Sequence, residues 1–190
     1  MSGLPSEPAE RHRAVAGRFA ELTRGATDWD APAPVDGWAA RDVVRHLVEW
    51  FPAFLAGGAG IRLAPGPTVD EDPAGAWASH ADQVQGILDD PATDERTFSN
   101  PHTGDHPLAR AIDQFYVSDV FMHTWDLARS TGQDDTLDAE TCEQMFQGMQ
   151  PIDEILRSSG QYGPRVPVPD DAPAQDRLLG FIGRDPAWRP

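Results

Sequence analysis

Cysteine is nearly absent: Cys142 stands alone in 190 residues, so no internal disulfide can form. That fits a reducing cytoplasm, where thiols stay reduced. Positive charge is scarce as well. Fifteen Lys and Arg face 31 Asp and Glu, a net charge of −16. That balance argues against binding nucleic acid or an anionic membrane through a broad basic surface. The acidity reads as serving solubility. No apolar run approaches the roughly 18 residues of a membrane-spanning helix. The opening stretch from Met1 to Pro8 is polar and lacks the pattern of a secretory signal. There is no internal repeat, no Gly-rich phosphate loop and no nucleophile elbow.

What remains is ordinary for a globular chain: 39% hydrophobic and 24% charged residues. Its length fits one domain over residues 1–190, with a sizeable core. Eighteen prolines and 17 glycines are unevenly spread, and they mark joints between helices. The first helix is expected from Ser6, as cap, to about Arg24, with Pro8 in its first turn and His12, Val15, Phe19 and Leu22 inward. The second runs from about Ala39 to Leu55 on Val44, Leu47, Val48, Phe51 and Leu55. Residues 57–69 form a Gly/Pro linker. The third helix starts at Asp72-Pro73 with the stripe Trp77, Ala81, Val84 and Leu88, and ends at Asp89-Asp90-Pro91. Residues 93–107 read as a short hairpin or an irregular crossing. A fifth helix is expected from Asp138 to Arg157, bent at Pro151, with Met145, Met149, Ile152 and Leu156 inward. Residues 158–190 form an extended tail carrying a short helix from Asp176 to Gly183. The order predicts an all-α four-helix bundle with a long crossover before the fourth helix and additional C-terminal helices.

The fourth helix carries the chemistry. It begins near Leu108 and closes at Gly132, a good residue for the left-handed turn after a helix. Leu108, Ile112 and Phe115 define an inward stripe, and Asp119, His123 and Asp126 continue it. At 100° per residue, Asp119 and His123 lie about 40° apart around the axis, and Asp126 about 20° off Asp119. A carboxylate and an imidazole therefore point where the pattern asks for Leu or Ile. An unpaired buried carboxylate costs several kcal/mol, so it needs a partner. A divalent metal is one partner; an Asp–His hydrogen bond is another.

A third ligand must come from elsewhere. His46 sits mid-helix beside Val43, Trp50 and Phe54. Taken alone it reads first as a core histidine bonded to a carbonyl, Asp42 or Glu49. On a helix facing the fourth, it completes a set of three: His46, Asp119 and His123, with a position left for water or substrate. His102 and His106 form a rival pair, but Pro and Gly nearby argue against a helix there. They read as exposed loop histidines. Trp50, Trp125 and Phe54 either wall an apolar pocket or pack the core. Asp126 orients His46 or His123, or bonds to a Thr, an Arg or backbone nearby. Cys142, on another helix, reads as a buried small apolar residue.

Trp38-x3-Asp42-Val-Val-Arg-His46-Leu-Val-Glu49-Trp50 resembles the second-helix motif of the DinB-like superfamily, in the branch around the mycothiol-dependent maleylpyruvate isomerase N-terminal domain. Asp119-x3-His123-Thr-Trp125-Asp126-Leu-Ala-Arg-x-Thr-Gly132 is similar to the metal motif of an actinobacterial subgroup of that branch. The tail, Gly163 to Pro169 and Ala174 to Pro186, also looks like that subgroup. The resemblance implies a four-helix bundle, a divalent metal (zinc or nickel) on His46, Asp119 and His123, and frequent dimers. It also implies chemistry on low-molecular-weight thiols such as mycothiol. Two departures bear on the isomerase activity more than on the metal. Those isomerases have Glu where this chain has Asp119, and they carry a second domain that this tail does not match.

The expectation is a cytoplasmic, thiol-dependent metalloenzyme acting by transfer or isomerisation on a small electrophilic molecule. The thiolate would be the nucleophile. Two alternatives differ in class. One is a hydrolase or lyase using water on the metal, with Asp126 or Glu49 as base. The other is a non-enzymatic bundle with a structural metal.

Overall fold

The computed structural model describes residues 3–190; Met1 and Ser2, the start of the polar opening stretch, lie outside it. The chain is mostly helical, with one small two-stranded sheet. Helix α1 spans Pro8–Gly25, α2 Ala40–Ala59 and α3 Pro73–Asp89. After a 3-10 turn at Pro91–Glu95, β1 (Thr97–Asn100) pairs antiparallel with β2 (Gly104–Pro107), so residues 93–107 include a hairpin. Then come α4 (Leu108–Ala111), a π-helical segment (Ile112–Val117) and α5 (Ser118–Ser130), joined end to end. Helices α6 (Ala139–Met149), α7 (Asp153–Ser158) and α8 (Ala174–Phe181) complete the order. Among the described residues no helix is long and apolar enough to cross a membrane.

Several boundaries follow from local chemistry. Asp72 caps α3 by accepting from the Gly75 N–H at 2.9 Å, with Pro73 at the first position. Asp138 caps α6 through the Thr141 N–H at 2.8 Å. Gly132, at φ 65°, closes α5 as expected. Ser6 does not cap α1: the cap position is Glu7, without a side-chain bond. Helix α2 continues past Leu55 to Ala59, and Gly58 in its last turns leaves room for the hairpin. A Cβ there would fall 2.1 Å from the Phe98 ring.

The expected fifth helix is broken rather than bent. Pro151 lies in a 3-10 turn at Gln150–Ile152 between α6 and α7, since proline supplies no N–H to an α-helical ladder. Ile152, expected inward, is 43% exposed. The last short helix runs from Ala174 to Phe181, about two residues earlier than expected.

The core joins α1, α2, α3, α5 and the tail. Phe19 and Leu22 of α1, Leu47 and Phe51 of α2, Trp77 of α3, Trp125 and Leu127 of α5 and Leu178 of α8 are each at or near zero exposure. Helix α1 packs against α3 and α5, and α2 against α5 and α3. Residues 120–128 of α5 are buried all round, in keeping with a central helix. The π segment alters the stripe read from the sequence. A π turn accommodates an extra residue, so Tyr116 takes the fully buried position and Phe115 is only half buried. Asp113, also brought inside, is held by Arg11 Nη1 at 3.0 Å.

Candidate metal centre

His46 lies in the middle of α2, and Asp119 and His123 lie in the first two turns of α5. Packing of α2 on α5 brings the three together. His46 Nε2 is 3.1 Å from Asp119 Oδ2, and His123 Nε2 is 3.6 Å from Asp119 Oδ1. One donor atom from each residue lies within 4.8 Å of the other two. Two ligands about 2.0–2.1 Å from a tetrahedral ion sit about 3.3 Å apart. The two His–Asp separations fall on either side of that value. The donor set, two imidazoles and one carboxylate, is one that zinc accepts. A separation of 3.1 Å is also a hydrogen-bond length, so either a proton or a cation fits between His46 and Asp119.

The cluster is graded in exposure. The side chain of His46 is 33% exposed, that of Asp119 20% and that of His123 8%. One face therefore meets solvent while His123 is anchored inside. Trp38 covers it: its ring lies nearly parallel to His123, with centroids 5.8 Å apart at 18°, and 5.3 Å from His46. Trp50 donates its indole N–H to Asp119 Oδ2 at 3.0 Å.

Behind His123 stands a second carboxylate. Asp126 Oδ2 is 2.8 Å from His123 Nδ1, and the Asp126 side chain is 1% exposed. An ionised carboxylate only accepts, so His123 Nδ1 carries a proton, and its Nε2 is the ring nitrogen turned toward Asp119. This carboxylate–histidine arrangement is what orients a metal-binding imidazole. Arg184, in the tail, clamps Asp126 from the other side with Nε to Oδ1 at 2.9 Å and Nη2 to Oδ2 at 3.0 Å. Burial would raise the Asp126 carboxyl, but Arg184 and His123 outweigh it and hold Asp126 below the usual carboxylate range. Burial would lower His123, but Asp119 and Asp126 together hold it above the ordinary imidazole value.

The other expected residues fall elsewhere. Glu49 is exposed, its side chain 3.8 Å from Arg45 Nη1. Trp125 is fully buried, with the Arg129 guanidinium over its ring at 5.1 Å, and packs the core. Phe54 packs among the rings of Trp50, Phe98 and Phe115, edge-on to Trp50 and Phe115. His102 is exposed, but His106 is half buried and donates from Nε2 to the Thr103 carbonyl at 2.8 Å. Cys142 is buried, as expected, and burial pushes its thiol up to about 12. Sequence reasoning gave Trp38 no role, although it opens the second-helix motif. It also missed Arg184, whose only signal was its place in Gly183-Arg184-Asp185-Pro186.

No family model matches the chain. Two uncharacterized proteins of Mycobacterium tuberculosis, one from strain CDC 1551 / Oshkosh and one from strain H37Rv, are each 27% identical over 185 residues. Each alignment covers 94% of this chain and 98% of the relative. No solved structure matches.

Proposed function

We propose that the chain is a divalent-metal-binding protein of the DinB-like, four-helix-bundle kind. In this reading the metal, zinc first and nickel second, serves chemistry between a low-molecular-weight thiol such as mycothiol and a small electrophile. The observation that carries the metal is the convergence of His46, Asp119 and His123 from two helices at separations suited to one ion. A divalent cation held there would lower the pKa of an incoming sulfhydryl, so that it reacts as thiolate.

The chain's own residues supply the rest. His46 and His123 offer imidazole lone pairs, and Asp119 offers charge. Trp50 fixes the Asp119 carboxylate, and Asp126 fixes the His123 tautomer. Trp38 shields one side of the imidazoles from water. The exposed flank at His46 supports an accessible site over a closed structural one. The two carboxylates considered as bases for hydrolysis are both engaged. Glu49 is out by Arg45, and Asp126 is tied to His123 and Arg184. That favours an external thiol as nucleophile. Cys142 is not that thiol, being buried and protonated.

Elemental analysis of the untagged protein beside His123→Ala tests the metal. About one equivalent of zinc or nickel is expected in the parent, lost in a variant that still folds. A metal-free parent would overturn the reading. A screen of mycothiol and other thiols against maleyl-type and similar electrophiles tests the chemistry. Metal-dependent turnover that needs the thiol is expected, and turnover equal without thiol would shift the assignment to hydrolysis.

A further inference from the structure

The deepest layer of the site comes from the far end of the chain. Arg184 follows α8 and is separated from Asp126 by 58 positions, yet its guanidinium meets both Asp126 oxygens. The turn that carries it is tightly built. The Arg184 N–H donates to the Leu179 carbonyl at 2.8 Å, and the Gly183 N–H to the Gly180 carbonyl at 3.2 Å. Leu178, Leu179, Phe181 and Ile182 anchor α8 in the core. Beyond the turn, Arg129 of α5 donates to the Pro186 and Trp188 carbonyls at 3.1 and 3.4 Å. The result is a chain of three residues, Arg184 to Asp126 to His123, from the tail to a candidate ligand.

We propose that Arg184 is a positioning residue for His123, and that metal binding and docking of the 174–190 segment strengthen each other. The inference rests on the metal reading above. Its physical basis is the burial of Asp126. Without Arg184 that carboxylate keeps His123 as its partner but loses the two bonds that fix its plane, and the imidazole loses its aim with it. Coupling of this kind is reciprocal. If the docked tail favours the metal, the metal favours the docked tail to the same extent. The tail is then a metal-responsive part of the fold, whose order reports whether the centre is loaded.

Zinc affinity, measured by competition with a chromophoric chelator, is compared for the parent, Arg184→Met and Arg184→Lys. Amide hydrogen exchange over residues 174–190 is followed in the parent with and without zinc. Arg184→Met is expected to weaken zinc binding about 10- to 100-fold, with partial recovery in Arg184→Lys, which restores the charge but not the fork. Zinc is expected to slow exchange across 174–190 in the parent. Parent-like affinity in a folded Arg184→Met variant, or zinc binding that leaves tail exchange unchanged, overturns the proposal. The exchange measurement needs no variant, so it decides even if Arg184→Met fails to fold. A parent that binds no zinc sinks the metal reading and this inference together. A parent that binds zinc with an indifferent tail sinks this inference alone.

Discussion

Trp50 donates its indole N–H to Oδ2 of Asp119 at 3.0 Å, and the same oxygen faces His46 Nε2 at 3.1 Å. Trp50 and His46 lie one turn apart on α2, so a single helix face presents both a ligand and the group that holds a ligand from the facing helix. Trp50→Phe keeps the ring packing on Phe51 and Phe54 but removes the donor. Zinc affinity should fall about tenfold while the fold persists. Chelator competition with thermal unfolding on the same variant checks this. Unchanged affinity would mean that Asp119 is positioned without its indole partner.

The interior of α1 and α3 should make the protein acid-labile. His80 is 6% exposed, and burial pushes it down to about 4 from the ordinary 6.5. His12, also buried and lowered, adds to it, and the hydroxyl of Tyr116 between them has no hydrogen-bond partner among the described residues. A histidine with a depressed folded pKa is bound more tightly by protons in the unfolded chain. Stability is therefore full above pH 6.5 and is lost as pH falls toward 4, by up to about 3 kcal/mol for His80. Denaturant unfolding across that window should show the loss, and His80→Leu should flatten it. An unchanged pH profile in His80→Leu would remove His80 from the account.

The single thiol should be inert. Cys142 is at zero exposure, with its pKa raised to about 12 by burial and, secondarily, by Asp138. The native protein should react with a thiol reagent only at the rate of unfolding, and fully in denaturant. Fast labelling of the native protein would contradict its placement in the core.

Gly183 is where the tail turns toward Asp126. Its φ is 88°, and a Cβ there would lie 2.9 Å from the Pro164 carbonyl. Gly183→Ala should cost about 1–3 kcal/mol of stability, through backbone strain and the close contact. Increased proteolysis or exchange confined to the tail would locate the effect. A parent-like unfolding curve would show that the turn relaxes freely.

Much of this protein is written locally. Asp72 and Pro73, Asp138 and Gly132 mark helix ends because caps, proline and left-handed glycine act within a few residues. Asp119 and His123 share a face because four residues nearly complete one helical turn. Local rules stop where the backbone leaves the regular helix. The π turn at Ile112–Val117 exchanged Phe115 for Tyr116 in the core, and Pro151 parted α6 from α7.

Only the tertiary structure decided the placement of His46 and Arg184 in the site. Whether His46 meets Asp119 depends on how α2 lies on α5, and the arrival of Arg184 at Asp126 depends on α8 closing back across the fold. Periodicity tells which way a side chain points from its own helix. Which group it meets is settled by packing between segments distant in sequence, and no spacing records that.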